Sequence, residues 1–181
     1  MAGVAVDGAM WASAPDMTPS ELGDQHARLG LLHSLWDERR GGRKMPARAD
    51  FDAIEFRPWM GHLILIEVGP GPEFRYRVYG SALAEVFGRD LTGKTTAALR
   101  PDARRTVERE YSAVRDQGRP LLLCHWRTGV HEHARFSKLV LPFGDDGETV
   151  DRLLVGVYRV GRMQDGVEPQ PRQAFIGATA S

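Results

Sequence analysis

The sequence predicts an α+β domain, a five-stranded antiparallel sheet with short helices on one face and a long helix ahead of it. Three observations carry this. The apolar periodicity runs helix, two strands, short helices, one longer helix, three strands. The connections between successive strands are short, which makes them antiparallel neighbours. FRYRVY (74–79) alternates, with Phe74, Tyr76 and Val78 facing one way and Arg75, Arg77 and Tyr79 the other, the pattern of a half-buried strand.

The elements follow in order. Residues 1–17 mix small residues without periodicity and are expected to be disordered. TPSE (18–21) then opens a helix, with Thr18 as N-cap, Pro19 at the first helical position and Glu21 completing a capping box. Leu22, Leu29, Leu32 and Trp36 recur at helical spacing, and Gly41-Gly42 stops the helix. At 1.5 Å per residue this flanking helix (18–40) is about 30 Å long. Residues 41–61 form a linker and a short helix carrying Phe56 and Trp59. HLILIEV (62–68) and FRYRVY make a hairpin across the GPGP turn. Ser81 caps a short helix with Leu83, Val86 and Phe87, closed by Gly88. Pro101 and Asp102 open a helix with Ala103, Val107, Tyr111 and Val114 on one face, stopped by Gly118. Strands are expected over 120–127, 134–143 and 151–160, closing a core of 62–160. The tail 161–181, rich in Pro, Gly and polar residues, is expected to be flexible.

Composition excludes several function classes. At 181 residues the chain suits one domain plus tails. Its formal net charge is +0, so no global field attracts nucleic acid or an anionic membrane. No apolar run reaches the roughly 18 residues of a membrane span. The first residues carry Asp7 and lack the basic start of a secretory signal. Cys124 is the one cysteine, which leaves no intrachain disulfide and no Cys-rich metal site. A cytoplasmic location is expected.

Four motifs compete for a function. GRDLTGKT (88–95) fits the phosphate-cradling P-loop pattern, with Gly88, Gly93, Lys94 and Thr95 in the required places. That loop needs a buried parallel strand before it and a sizeable helix after it. SALAEVF upstream suits a helix, and Pro101 leaves only 95–100 downstream. Lys94-Thr95 therefore reads as a coincidence, with a nucleotide-binding protein as the alternative. The basic stretch Arg39, Arg40, Arg43, Lys44 and Arg48 offers a nucleic-acid binder as another. It lacks interleaved aromatics and has Asp37, Glu38, Asp50 and Asp52 nearby, so a solvated linker is expected and no specific nucleic acid. His125, His131 and His133, with Cys124 nearby, could approach across a hairpin. Three firm ligands are not evident, and no metal site is assigned. Asp145 and Asp146 suit an exposed hairpin tip, and Asp151 with Arg152 a structural ion pair, so no acid–base pair stands out.

YRVYGSALAEVFGRDLTGK resembles the signature region of a bacterial family of short, largely stand-alone PAS-like proteins, in which an Arg-containing strand runs into Gly, a helix and an FG-x-x-L-x-G turn. LWDERRGGRKMPARADFDAIEF resembles the family's N-terminal block, and KLVLPFGDDGETVDRLLVGV its C-terminal strand pair. Together they span about residues 30–160, and the two glycines of the P-loop match belong to the family's turn. The resemblance implies a PAS fold and a sensory or signalling module that binds a small ligand or a protein partner. It implies no catalytic residues, no enzymatic activity and no particular cofactor. Cys124 falls in a strand, unlike the helical cysteine of flavin photoreceptors, and the helices between Ser81 and Gly118 hold no histidine for a haem. The resemblance would place a pocket between the inner sheet face and the short helices, around Tyr76, Val78, Leu83, Phe87, Leu91, Tyr111, Trp126 and Leu141. The flanking helix looks longer than one small sheet can cover. Leu22, Leu29, Leu32 and Trp36 are therefore expected to form a homodimer interface, as flanking helices of PAS-like domains do.

Overall fold

The computed structural model describes residues 27–128, 133–162 and 173–175. Helix α1 (Ala27–Arg40) leads through 3₁₀ turns at Arg48–Asp50 and Ala53–His62 into β1 (Leu63–Val68) and β2 (Phe74–Tyr79). Helix α2 (Ser81–Phe87), a 3₁₀ turn at Thr96–Ala98 and α3 (Pro101–Gln117) follow. Strands β3 (Leu121–Thr128), β4 (His133–Phe143), β5 (Arg152–Arg162) and β6 (Gln173–Phe175) complete the chain. The sheet order is β2-β1-β5-β4-β3-β6, and every neighbouring pair is antiparallel. The five expected strands are all present. A short sixth, β6, pairs with β3 through Leu121↔Phe175 and extends the sheet beyond the expected core.

Local chemistry sets the helix ends. Gly41, at φ 56, donates its N–H to Asp37 O at 3.3 Å and ends α1. Gly118 ends α3 at φ 62, its N–H on Val114 O at 2.8 Å, and Pro101 starts that helix. Ser81 does not cap α2; Gly80 does. A Cβ at position 80 would lie 2.4 Å from Gly61 O and 2.9 Å from Leu63 O, so only glycine fits where this turn presses on the 3₁₀ segment.

Alternation along the central strands divides the core into two layers. Lys138 and Val157 face α3, whereas Leu139 and Gly156, a cross-strand pair, face α1. A Cβ at Gly156 would meet Leu29 Cδ2 at 2.9 Å and Leu32 Cδ2 at 3.0 Å, so the missing side chain is what lets α1 lie close on the sheet. Trp36 adds an indole N–H donated to Pro142 O at 2.8 Å, and the Trp59 indole reaches back to Arg28 O at 2.7 Å. Leu29, Leu32 and Trp36 are fully buried by these contacts.

That packing shows where three of the four side chains expected at a dimer interface lie. Three of the residues assigned to an interface between copies instead cover the chain's own sheet. The apolar strip fits there because β4 and β5 present Leu139, Leu141, Leu154 and Gly156 to it. Leu22 and the expected start of the helix at 18–21 lie outside the described residues, as do 1–17 and most of the tail.

Helix α1 also buries His33, whose Nδ1 has no hydrogen-bond partner among the described residues. Burial lowers its pKa below the ordinary value of 6.5; Asp37 opposes this and Arg40 adds to it. A lowered folded-state value means that the unfolded chain binds the proton more readily. The contribution of neutral His33 is therefore complete above the unfolded value and is lost as pH falls through it toward the folded one. Urea midpoints should fall as pH drops from about 7 to 5, with this group supplying at most about 1.4 kcal/mol per pH unit. His33→Leu should flatten that dependence, and an unchanged pH profile in the variant would refute the assignment.

Candidate functional site

The inner face of the sheet, α2, α3 and the loop between them enclose a cavity of about 330 Å³. Ile64, Tyr76, Tyr79, Phe136, Lys138 and Val157 come from the sheet. Phe87, Arg89, Leu91, Leu99 and Arg100 come from α2 and the following loop, and Ala103, Thr106, Val107, Glu110 and Tyr111 from α3. The strongly amphipathic pattern of α3 explains its side: Glu110, Tyr111 and Val114 are its buried residues, and the helix lies along β4.

Of the pocket residues expected from the sequence, Tyr76, Phe87, Leu91 and Tyr111 lie together on this lining. Val78 does not. In β2, Val78 pairs with Leu65 and Tyr76 with Ile66, so Arg77 is an extra residue, a bulge. The bulge reverses the alternation after Tyr76. Val78 turns outward, 47% exposed, and Tyr79 turns into the cavity. Leu141 is buried on the opposite sheet face under α1, one step out of phase with Lys138 and Val140. Leu83 is buried in the core but not on the cavity wall. Trp126 lies in β3, paired with Arg135, and its side chain falls outside the described residues.

Sequence reasoning missed the charged floor of the cavity. Lys138 Nζ donates to Glu110 Oε2 at 2.6 Å, and both residues are buried. The same ammonium sits 4.6 Å from the centre of the Tyr111 ring. Phe74 backs that ring edge-on at 5.3 Å. Burial, then the adjacent Tyr111, holds the Tyr76 hydroxyl far above its ordinary value; burial, then Glu110, does the same for Tyr111. Both phenols are neutral donors at physiological pH. The available signal was Lys138 itself, a lone charge in the apolar strand KLVLPF.

The P-loop match sits at the cavity rim, in the wrong surroundings for phosphate. It follows helix α2 and ends in the three-residue 3₁₀ turn capped by Thr95. Its N–H groups are already used: Gly88 on Glu85 O, Arg89 on Ala84 O, Gly93 on Tyr76 O and Lys94 on Leu91 O. Phosphate needs such groups converging and unsatisfied. The Lys94 side chain is exposed. Lys94→Ala should change stability by less than about 0.5 kcal/mol. Calorimetry with Mg-ATP should give no heat that depends on Lys94; micromolar binding abolished by this substitution would overturn the reading.

The basic stretch is bound into its own linker. Arg39 pairs with Glu38 and Glu55, Arg40 with Asp37 at 2.7 Å and Arg43 with Asp50 at 2.6 Å. Arg48 donates to Phe51 O at 2.9 Å. These pairs fasten the segment between α1 and the 3₁₀ turns, and they leave little unpaired charge for phosphates. Arg152 pairs with Asp151 at 3.0 Å and Asp145 at 3.1 Å, and Asp146 accepts the Thr149 and Glu148 N–H groups at the hairpin tip. Among the described residues no cluster of three His, Cys, Asp or Glu side chains could hold a metal ion. His131 and the side chains of Cys124, His125 and His133 lie outside them. No helix among the described residues is long and apolar enough to cross a membrane.

An antiparallel sheet of this order, a loop-and-helix layer over one face and a cavity between them are the architecture of a PAS-like domain. The PAS domain family matches residues 24–159, and the chain belongs to that family. Among solved structures, the PAS domain of BvgS from Bordetella pertussis is similar over 60% of this chain and 83% of its own length, at 14% identity and a TM-score of 0.48. A variant of RsLOV is similar over 64% of this chain and 73% of its own, at 15% identity and a TM-score of 0.44. No curated protein matches the chain.

Proposed function

We propose that the protein is a PAS-type sensory module that takes a small ligand into the cavity between α3 and the sheet and reports occupancy to a signalling partner, without catalysis of its own. Its cytoplasmic location is part of this reading. The observation that carries it is the cavity's construction. Apolar walls surround a few converging polar groups, Lys138, Glu110, Tyr76 and Tyr111, which is how small-molecule sites are commonly built. A core that needed only to be filled would have no use for a buried ion pair beside an open volume, since such a pair adds little net stability.

Native mass spectrometry of the purified full chain tests this directly. The expected spectrum shows a co-purifying small molecule that is released on denaturation. Ala103→Trp, which fills the cavity from α3, should remove that mass while the protein stays folded. A bound mass that survives this substitution would place the ligand elsewhere.

A further inference from the structure

Resting on that reading, we propose a ligand class for the cavity: a small organic acid with its carboxylate at the mouth, an apolar body across the middle and a neutral hydrogen-bonding group at the far end. The charges on the lining are unequal, three cations (Arg89, Arg100, Lys138) against one anion (Glu110). The anion is already matched, because Glu110 holds Lys138 at 2.6 Å in the buried interior. The surplus positive charge therefore belongs to Arg89 and Arg100, and both are exposed, which places them at the mouth. Arg89 donates one N–H to Ala98 O at 3.2 Å; neither guanidinium takes part in an ion pair among the described residues. Elsewhere the pattern differs: Arg39, Arg40, Arg43, Arg77, Arg104 and Arg152 all face carboxylates of the chain itself. A guanidinium fork suits a ligand carboxylate, bound by charge-assisted hydrogen bonds.

The middle and the far end set the rest of the molecule. Phe87, Leu91, Leu99, Val107 and Phe136 offer no polar partner, so the body that passes them is apolar. The floor is a neutralised pair. A second charge there would face one like-charged group and compete for a partner already engaged. A hydroxyl avoids this, since it can donate to Glu110 and accept from Lys138 or a tyrosine. At about 330 Å³ the cavity is at the small end of the range for ligand sites, which favours a compact acid over a long-chain lipid.

Calorimetry on the full chain with four matched probes tests the class. They are para-hydroxyphenylpropionate, its primary amide, para-hydroxyphenylpropylamine and unsubstituted phenylpropionate. The hydroxylated acid should bind at least about tenfold tighter than its amide and than phenylpropionate, and the amine should not bind. Arg100→Gln, an exposed change that leaves the core intact, should abolish the preference for acid over amide. Arg89→Gln repeats the test from the other side of the mouth. Equal binding of acid, amide and amine by the unaltered protein would overturn the ligand class and leave the cavity standing as a ligand site. No binding of any probe up to about 10 mM would overturn the class, and the Ala103→Trp mass measurement then separately decides whether the cavity is a site at all.

Discussion

Lys138→Met should lower the unfolding free energy by about 3–5 kcal/mol, because it leaves the Glu110 carboxylate buried without its counter-charge. The side chains of Lys138 and Glu110 are 10% and 1% exposed, so bulk water replaces little of the lost contact. The substitution also removes the cation from the face of Tyr111. Replacing both partners, Lys138→Met with Glu110→Leu, should recover most of the loss, since two apolar side chains of similar size need no pairing. Urea titrations of the two single variants and the double variant close the cycle. Additive losses would mean that the two groups do not depend on one another. A double variant that regains stability but loses the co-purifying mass would show that the pair is kept for binding rather than for folding.

Trp36→Ala should cost about 3–5 kcal/mol, the range for truncating a buried aromatic. It empties the space between α1 and β4, and it leaves the Pro142 carbonyl without the indole N–H that now satisfies it at 2.8 Å. Because Trp36 packs within one chain, the loss should not vary with protein concentration. Sedimentation equilibrium should give the same association state for variant and parent. A midpoint that rises with concentration in the parent and ceases to do so in the variant would return this helix to the interface between copies first expected of it.

Much of the architecture was legible because its signals are local. Proline at the start of α3 and glycines at 41, 88 and 118 set helix ends through backbone geometry alone. The hairpin and the strand alternation showed likewise in short windows. The errors have one common source, that periodicity reveals a face but not what the face meets. The stripe Leu29, Leu32 and Trp36 is apolar in the sequence, but the sequence does not say that it meets the chain's own sheet. The complementary groove is made by Gly156, more than a hundred residues away and silent as a single letter. Val78 and Tyr79 exchanged roles because the bulge at Arg77 adds one residue to β2, and nothing in FRYRVY distinguishes a bulged strand from a regular one. Leu141 was placed from its strand without its parity. The Glu110–Lys138 pair joins α3 to β4 across 28 positions and becomes visible only when the two elements are side by side.

The single-layer sheet between the cavity and α1 has a consequence for how variants of this protein are compared. Lys138 and Leu139 are consecutive residues, as are Val157 and Gly156, yet in each pair one wets the cavity and the other anchors the helix. The two compartments share a wall one backbone thick. A substitution that shifts that wall by a few tenths of an ångström on one side alters the fit on the other, where Leu29 and Leu32 already crowd Gly156. Effects measured at the cavity and at the helix are thus not independent quantities. Their sum should depart from the combined variant by about 0.5–3 kcal/mol, the usual size for residues that share neighbours.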